Sequence, residues 1–226
     1  MELFKCGIIS FIILNYISLG CAKAPSQFAA IPSKSLSTFD RELFTRAALH
    51  QGKGQIDSAI LLWNKFLQRN PNSFEVRNNL GLLYYANDEI VKAIYHYDQG
   101  LKLRPREGQL KVNLVRALKV QSAILEENRE YDEAIVGLGR IVELSPAKEQ
   151  EAIERQIEAL EDQIFKQVKK SNLMGEYQEF LKKYPRSPAN SDEARLWIEN
   201  KLKAKKMGNQ GSLSSDFQPS LASESR

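Results

Sequence analysis

The chain has 226 residues, 42% hydrophobic and 27% charged, enough apolar content for a packed core, which excludes global disorder and a multi-span membrane protein. Lys and Arg number 32 against 28 Asp and Glu, a net charge of +4 with the two signs interspersed, and this argues against a dedicated nucleic-acid-binding domain. Two His and two Cys, without a CxxC, HxxxH, GxSxG or phosphate-binding glycine loop, predict no metal, no cofactor and no enzymatic activity.

Residues 1–20 read as an export signal: Lys5, then an almost apolar run from Cys6 to Leu19, then Gly20 and Cys21. That run is shorter than the ~20 apolar residues of a membrane span, so cleavage is expected, with an uncleaved anchor as the alternative. The segment Ser18-Leu19-Gly20-Cys21 resembles the lipobox of bacterial lipoproteins, although Ser18 stands where Leu is usual. The resemblance implies lipidation of Cys21 and a place in the bacterial cell envelope, at the outer membrane. The competing reading of Cys21 is a chance cysteine at the end of a signal. Residues 21–38 contain Pro25, Pro32 and four serines after Cys21, the composition of a flexible tether.

From 39 to 206 the chain reads as helical. Prolines at 71, 105, 146 and 185 each close an amphipathic run, and the first two are 34 residues apart, a spacing that marks a helical repeat. With proline at position 32, repeat 1 spans about 40–73 and repeat 2 spans 74–107. In repeat 2, Gly81 falls at position 8, Tyr84 at 11, Ala93 at 20, Tyr97 at 24 and Gly100 at 27. Repeat 1 places Ala47, His50, Ala59, Trp63 and the bulkier Phe66 at the same positions. This pattern resembles the tetratricopeptide repeat. The fold it implies is all-α, a tetratricopeptide-type solenoid of antiparallel helix pairs, with the break inside repeat 2 near Asn87 and Asp88.

Repeat 3, about 108–148, keeps a strong second half from Tyr131 to Pro146, but its first half is seven residues too long. Seven residues are about two helical turns, so the stripe Leu110, Leu114, Leu118, Leu125 stays on one face and a long first helix over about 107–128 is expected. Repeat 4, about 149–187, is degenerate: Ile157, Leu160, Ile164, Tyr177 and Phe180 hold apolar positions, but Glu161 occupies one that favours a small residue. A capping helix over 191–206 follows, opened by Asn190 and Glu193 as a capping pair and burying Ala194, Trp197, Ile198 and Leu202. A repeat array needs such a cap to cover its last apolar side. Residues 207–226, rich in Ser and Gly, are expected to be disordered.

The resemblance places the inward face of the array on the first helix of each repeat. It comprises Glu75, Asn78, Asn79, Leu82, Tyr85 and Ala86 in repeat 2 and Gln109, Val112, Asn113, Arg116 and Lys119 in repeat 3. This mixed polar and apolar surface suits an extended peptide or a partner helix. Tyr85 and Arg116 are the expected energetic contacts, with Asn78, Asn79 and Asn113 bonding the ligand backbone. The competing reading leaves Tyr85 packed between repeats and Arg116 in solvent. A clamp for a C-terminal carboxylate is rejected, because of Phe44, Ala48, Asn79, Gln109 and Asn113 only Asn79 fits it. His50 is expected in the core and His96 on an exposed face. The Glu-rich run around 149–162 reads as a solvated face. The stripe Ile153, Ile157, Leu160, Ile164, Val168 packs on repeat 3 or, alternatively, makes a dimer of an otherwise monomeric protein. The expected function is a membrane-tethered scaffold that binds a protein partner, no nucleic acid, and serves envelope, secretion or pilus assembly. The alternative is a surface-displayed ligand for host or matrix molecules.

Overall fold

The computed structural model describes residues 36–213. Every regular element among the described residues is an α-helix: α1 Thr38–Gly52, α2 Ile56–Arg69, α3 Phe74–Ala86, α4 Ile90–Leu103, α5 Gly108–Glu127, α6 Tyr131–Leu144, α7 Ala147–Ser171, α8 Met174–Lys183 and α9 Asn190–Leu213. The fold is the expected all-α, tetratricopeptide-type succession of helix pairs, and it forms two compact bodies that divide after Arg106. The expected signal, Cys21, most of the expected tether and residues 214–226 lie outside the described residues.

One turn design recurs inside three pairs. Gly54, Asp88 and Arg129 adopt left-handed φ values of 70°, 59° and 64°. The amide that follows each donates to the carbonyl five residues back, Gln55 to His50, Glu89 to Tyr84 and Glu130 to Leu125, at 2.8–3.0 Å. This closes the orphaned carbonyls at the end of the first helix. Their spacings, 34 and 41 residues, match the expected lengths of repeats 2 and 3. Turns that leave a repeat are also alike. Asn70, Arg104 and Tyr184 precede proline, take φ of −129°, −139° and −124°, and donate their amides to the carbonyl four residues back. The ring of the following proline disfavours the helical region for these residues, so each helix stops there.

The first body holds repeats 1 and 2. Phe44, Trp63 and Phe66 meet edge to face, with centroids 4.8–6.2 Å apart, among Leu43, Ala47, Ala59, Val76, Leu80 and Leu83. Edge-on contact lets the bulky Phe66 sit where the repeat favours a small residue. Trp63 satisfies its indole by donating to Gln51 at 2.8 Å. Asp40 pairs with Arg69 and accepts from Ser37 at 2.7 Å, joining the start of α1 to the end of α2. In repeat 2, Gly81 lies flat against the ring of Tyr97, and Ala93 is wholly buried.

The second body holds repeats 3 and 4 and the cap. Helix α5 has 20 residues against 13 in α3, so the seven extra residues are helical, as expected. Its buried stripe runs Leu110, Leu114, Leu118, Ser122. Ser122, not Leu125, continues the fully buried stripe, because Gly137 of α6 leaves room only for a small partner: a Cβ on Gly137 would lie 2.5 Å from Ser122 Oγ. In repeat 4, Phe165, Tyr177, Phe180 and Ala194 form the core, and Tyr177 stacks on Trp197 at 3.9 Å and 2°. Ile153, Leu160 and Val168 are buried within this body, which favours the packing reading of that stripe. Degenerate repeat 4 has a polar tie in place of consensus packing. Tyr184 and Lys183 at the end of α8 both donate to Asp132 of α6, Lys183 at 3.1 Å. Burial raises the pKa of Glu161, opposed by its hydrogen bond with Ser187.

Three expectations for the cap are corrected. Asn190 is the first helical residue, and its side-chain Nδ2 donates to Asp162 Oδ1 at 2.6 Å instead of capping α9. Leu202 is 49% exposed rather than part of the buried face. The helix continues to Leu213, seven residues past the expected end at 206.

Candidate functional site

In the first body the candidate surface is a face of α3. Glu75, Asn78, Leu82 and Tyr85 recur at spacings of three and four residues, share one side of the helix and are all half-buried. They alternate acidic, amide, aliphatic and aromatic groups within three turns. Asn79 is not among them. It lies about 100° further round the helix, is 1% exposed, and its buried Oδ1 has no hydrogen-bond partner among the described residues. Its side chain belongs to the helix-packing layer with Val76 and Leu80, so the expected contact with a ligand backbone is corrected.

The second body repeats the division on α5. Val112 is 54% exposed, and Arg116 and Lys119 on the same side are also exposed. Asn113 is only 2% exposed, and its Oδ1 accepts from Gln109 Nε2 at 3.1 Å. Like Asn79 it is inside, and for the same reason: the asparagine occupies the border of the packed arc, where the preceding and following turns close over it. Each body therefore presents part of the expected surface: Asn78, Leu82 and Tyr85 in the first, Arg116 in the second.

One histidine departs from its expected place. His50 is half-buried at the end of α1, with its Nδ1 inside, whereas His96 of α4, expected on an exposed face, is 7% exposed. The imidazole of His96 stacks on Tyr84 of α3 with centroids 5.2 Å apart and planes 16° apart, and Tyr95 meets it edge-on. Burial, helped by the nearby Arg77 guanidinium, lowers its pKa to about 4, so it is neutral at physiological pH. Such a histidine is a packing group in a charge-free state, unsuited to proton transfer near neutrality. No cluster of His, Cys, Asp or Glu among the described residues has the arrangement to hold a metal ion. No helix among the described residues is long and apolar enough to cross a membrane.

A surface that sequence patterning missed lies at the other end of the second body. From Glu199 to Met207 every residue of α9 is exposed, and the stretch includes Lys201, Lys203, Lys205 and Lys206. The signal was present in the run of lysines, but it was read as the end of a capping helix.

The chain matches no protein-family model, and no curated protein matches it. Among solved structures, it is similar to MamA, at 18% identity and a TM-score of 0.39 over 81% of this chain and 98% of that one. It is also similar to the MamA RS-1 ArsTM double mutant, at 15% identity and a TM-score of 0.40 over 76% and 98%. Human IFIT1, as a dimer with m7Gppp-AAAA, aligns at 16% identity and a TM-score of 0.31 over 73% of this chain and 48% of that one.

Proposed function

We propose that the chain is a non-catalytic interaction scaffold that binds a peptide or helix of a protein partner on the first helix of repeat 2. The observation that carries this reading is the face of α3. A helix whose other sides are given to packing keeps a half-open strip of Asn78, Leu82 and Tyr85, mixed in the manner of a peptide-recognition surface, with an aromatic anchor beside hydrogen-bonding groups. Arg116 on α5 is the contact offered by the second body. The scaffold is tethered to the bacterial cell envelope, at the outer membrane, through lipid on Cys21, and acts in envelope, secretion or pilus assembly.

Two experiments test this. A photo-crosslinking residue at position 85 or 116 should trap the partner in native envelopes, and the same residue at exposed positions 61 or 136 should not. Crosslinks at 61 or 136 with none at 85 and 116 would refute the assignment of the face. Intact mass of the membrane-extracted protein should begin at a modified Cys21, and an unmodified later start or retention of residues 1–20 would remove the lipid tether.

A further inference from the structure

The capping task of α9 is complete by Ile198. Ser191 and Ala194 are buried, and Trp197 and Ile198 close over the core of repeat 4. The helix nevertheless continues to Leu213, with residues 199–207 exposed on every side. A stretch of this length contributes nothing to the core, and an isolated helix so short is marginal in water.

Its composition is specific. Residues 199–207 carry four lysines against one glutamate, a net charge of +3, and Leu202 and Met207 are 49% and 67% exposed. Local pairs hold the helix together without neutralising it: Lys203 bridges Glu199 at 2.6 Å, and Lys201 lies over the Trp197 ring at 5.1 Å.

We propose that this basic extension of α9 docks on an anionic phospholipid surface. Clustered lysines attract an anionic leaflet additively, and their long apolar stems let the ammonium groups reach phosphates while Leu202, flanked round the helix by Lys205 and Lys206, enters the interfacial region. Lysine, a compact point charge without the planar fork of arginine, suits a mobile field of headgroups better than a fixed carboxylate. Nucleic acid is a poorer match because, among the described residues, the nearby ring of Trp197 is already stacked on Tyr177 and offers bases no free platform. This contact is separate from the α3 face and does not depend on lipidation of Cys21.

The test compares the full chain with a variant carrying Lys201→Gln, Lys203→Gln, Lys205→Gln and Lys206→Gln, changes that keep helix propensity nearly constant. Each is floated with vesicles of phosphatidylcholine alone or with a third phosphatidylglycerol. The N-terminal apolar segment is common to both proteins, so the difference between them isolates α9. The expected result is that the parent binds the anionic vesicles at least tenfold more tightly than the variant. That advantage should disappear in 0.5 M salt and be absent on neutral vesicles. A second variant, Leu202→Gln, should lose part of the advantage with its charge unchanged. Equal binding of parent and quadruple variant to anionic vesicles would overturn the proposal. So would a preference of the parent for polyglutamate or single-stranded DNA over the anionic vesicles at matched charge.

Discussion

Replacing Gly81 or Gly139 by alanine adds the same methyl group to the interior of a helix with opposite expected results. In both α3 and α6 the exchange gains about 1 kcal/mol of intrinsic helix propensity. At Gly139 nothing lies within 4 Å of the new Cβ, so the gain is kept. At Gly81 the new Cβ collides with Tyr97, at 2.6 Å from Cδ1 and 2.7 Å from Cζ, with Cε1 nearer still. Ordinary carbon contacts begin near 3.5 Å, so the ring must retreat by roughly an ångström. Tyr97 is 1% exposed and has nowhere to retreat without displacing α4. Overpacking of this kind costs about 1 to 3 kcal/mol, and with three ring atoms struck the upper end applies. The expected net changes are a loss of about 2 kcal/mol for Gly81→Ala and a gain of about 1 kcal/mol for Gly139→Ala. Urea titrations followed by far-ultraviolet circular dichroism would read both as shifts in midpoint. In the Gly81→Ala background, Tyr97→Leu should cost less than it does in the parent, because the clash is relieved. If Gly81→Ala were as stable as the parent, the close contact of α3 with α4 at this residue would be wrong.

Three further outcomes follow from the packing. His96 has a pKa near 4 when folded and an ordinary value of 6.5, so the unfolded chain binds the proton more readily. Its contribution is fully present above about pH 6.5 and is lost as pH falls toward 4, by up to about 3 kcal/mol. Melting of the parent and His96→Phe across that range should show a shallower acid dependence in the variant, and parallel curves would refute the buried neutral imidazole. Arg129 holds a left-handed conformation at φ 64° in a turn where repeat 1 has Gly54. Arg129→Gly should therefore stabilise by about 1 kcal/mol, and a lower melting temperature would contradict this. Ala93 is 0% exposed, so Ala93→Leu should cost about 1 to 3 kcal/mol, and a midpoint within error of the parent would refute the repeat register.

The parts of the fold legible in the sequence were those fixed by local chemistry. Proline sets where each repeat ends because it constrains the residue before it, and the 34-residue period carries the helix pairing with it. Contacts that depend on the rotation of a helix were harder to read. Asn78 and Asn79 are neighbours in sequence, yet the 100° between them separates a half-open strip from a sealed interior. His96 follows exposed Tyr95, and the ring of Tyr84 reaching from α3 stacks over it. Glycines and serines after Met207 read as coil, but Lys201 to Met207 are strong helix formers and carry the helix past that point.

The seven additional residues of α5 have a consequence for how such a chain changes length. Seven steps of 100° make 700°, only about 20° short of two full revolutions. A helix that grows by seven residues therefore delivers the chain to its exit at nearly the same azimuth. The Leu125, Arg129 and Glu130 turn could thus retain the hydrogen bond and handedness of its counterparts at Gly54 and Asp88. An insertion of two or five residues would rotate that exit by about 160° or 140°, aiming the second helix away from its partner. Length variation in these repeats is thus quantised by angular phase. A gain or loss of seven residues nearly preserves that phase, as would one of eleven, about 20° past three revolutions, whereas sizes such as two or five break it before any side chain is considered.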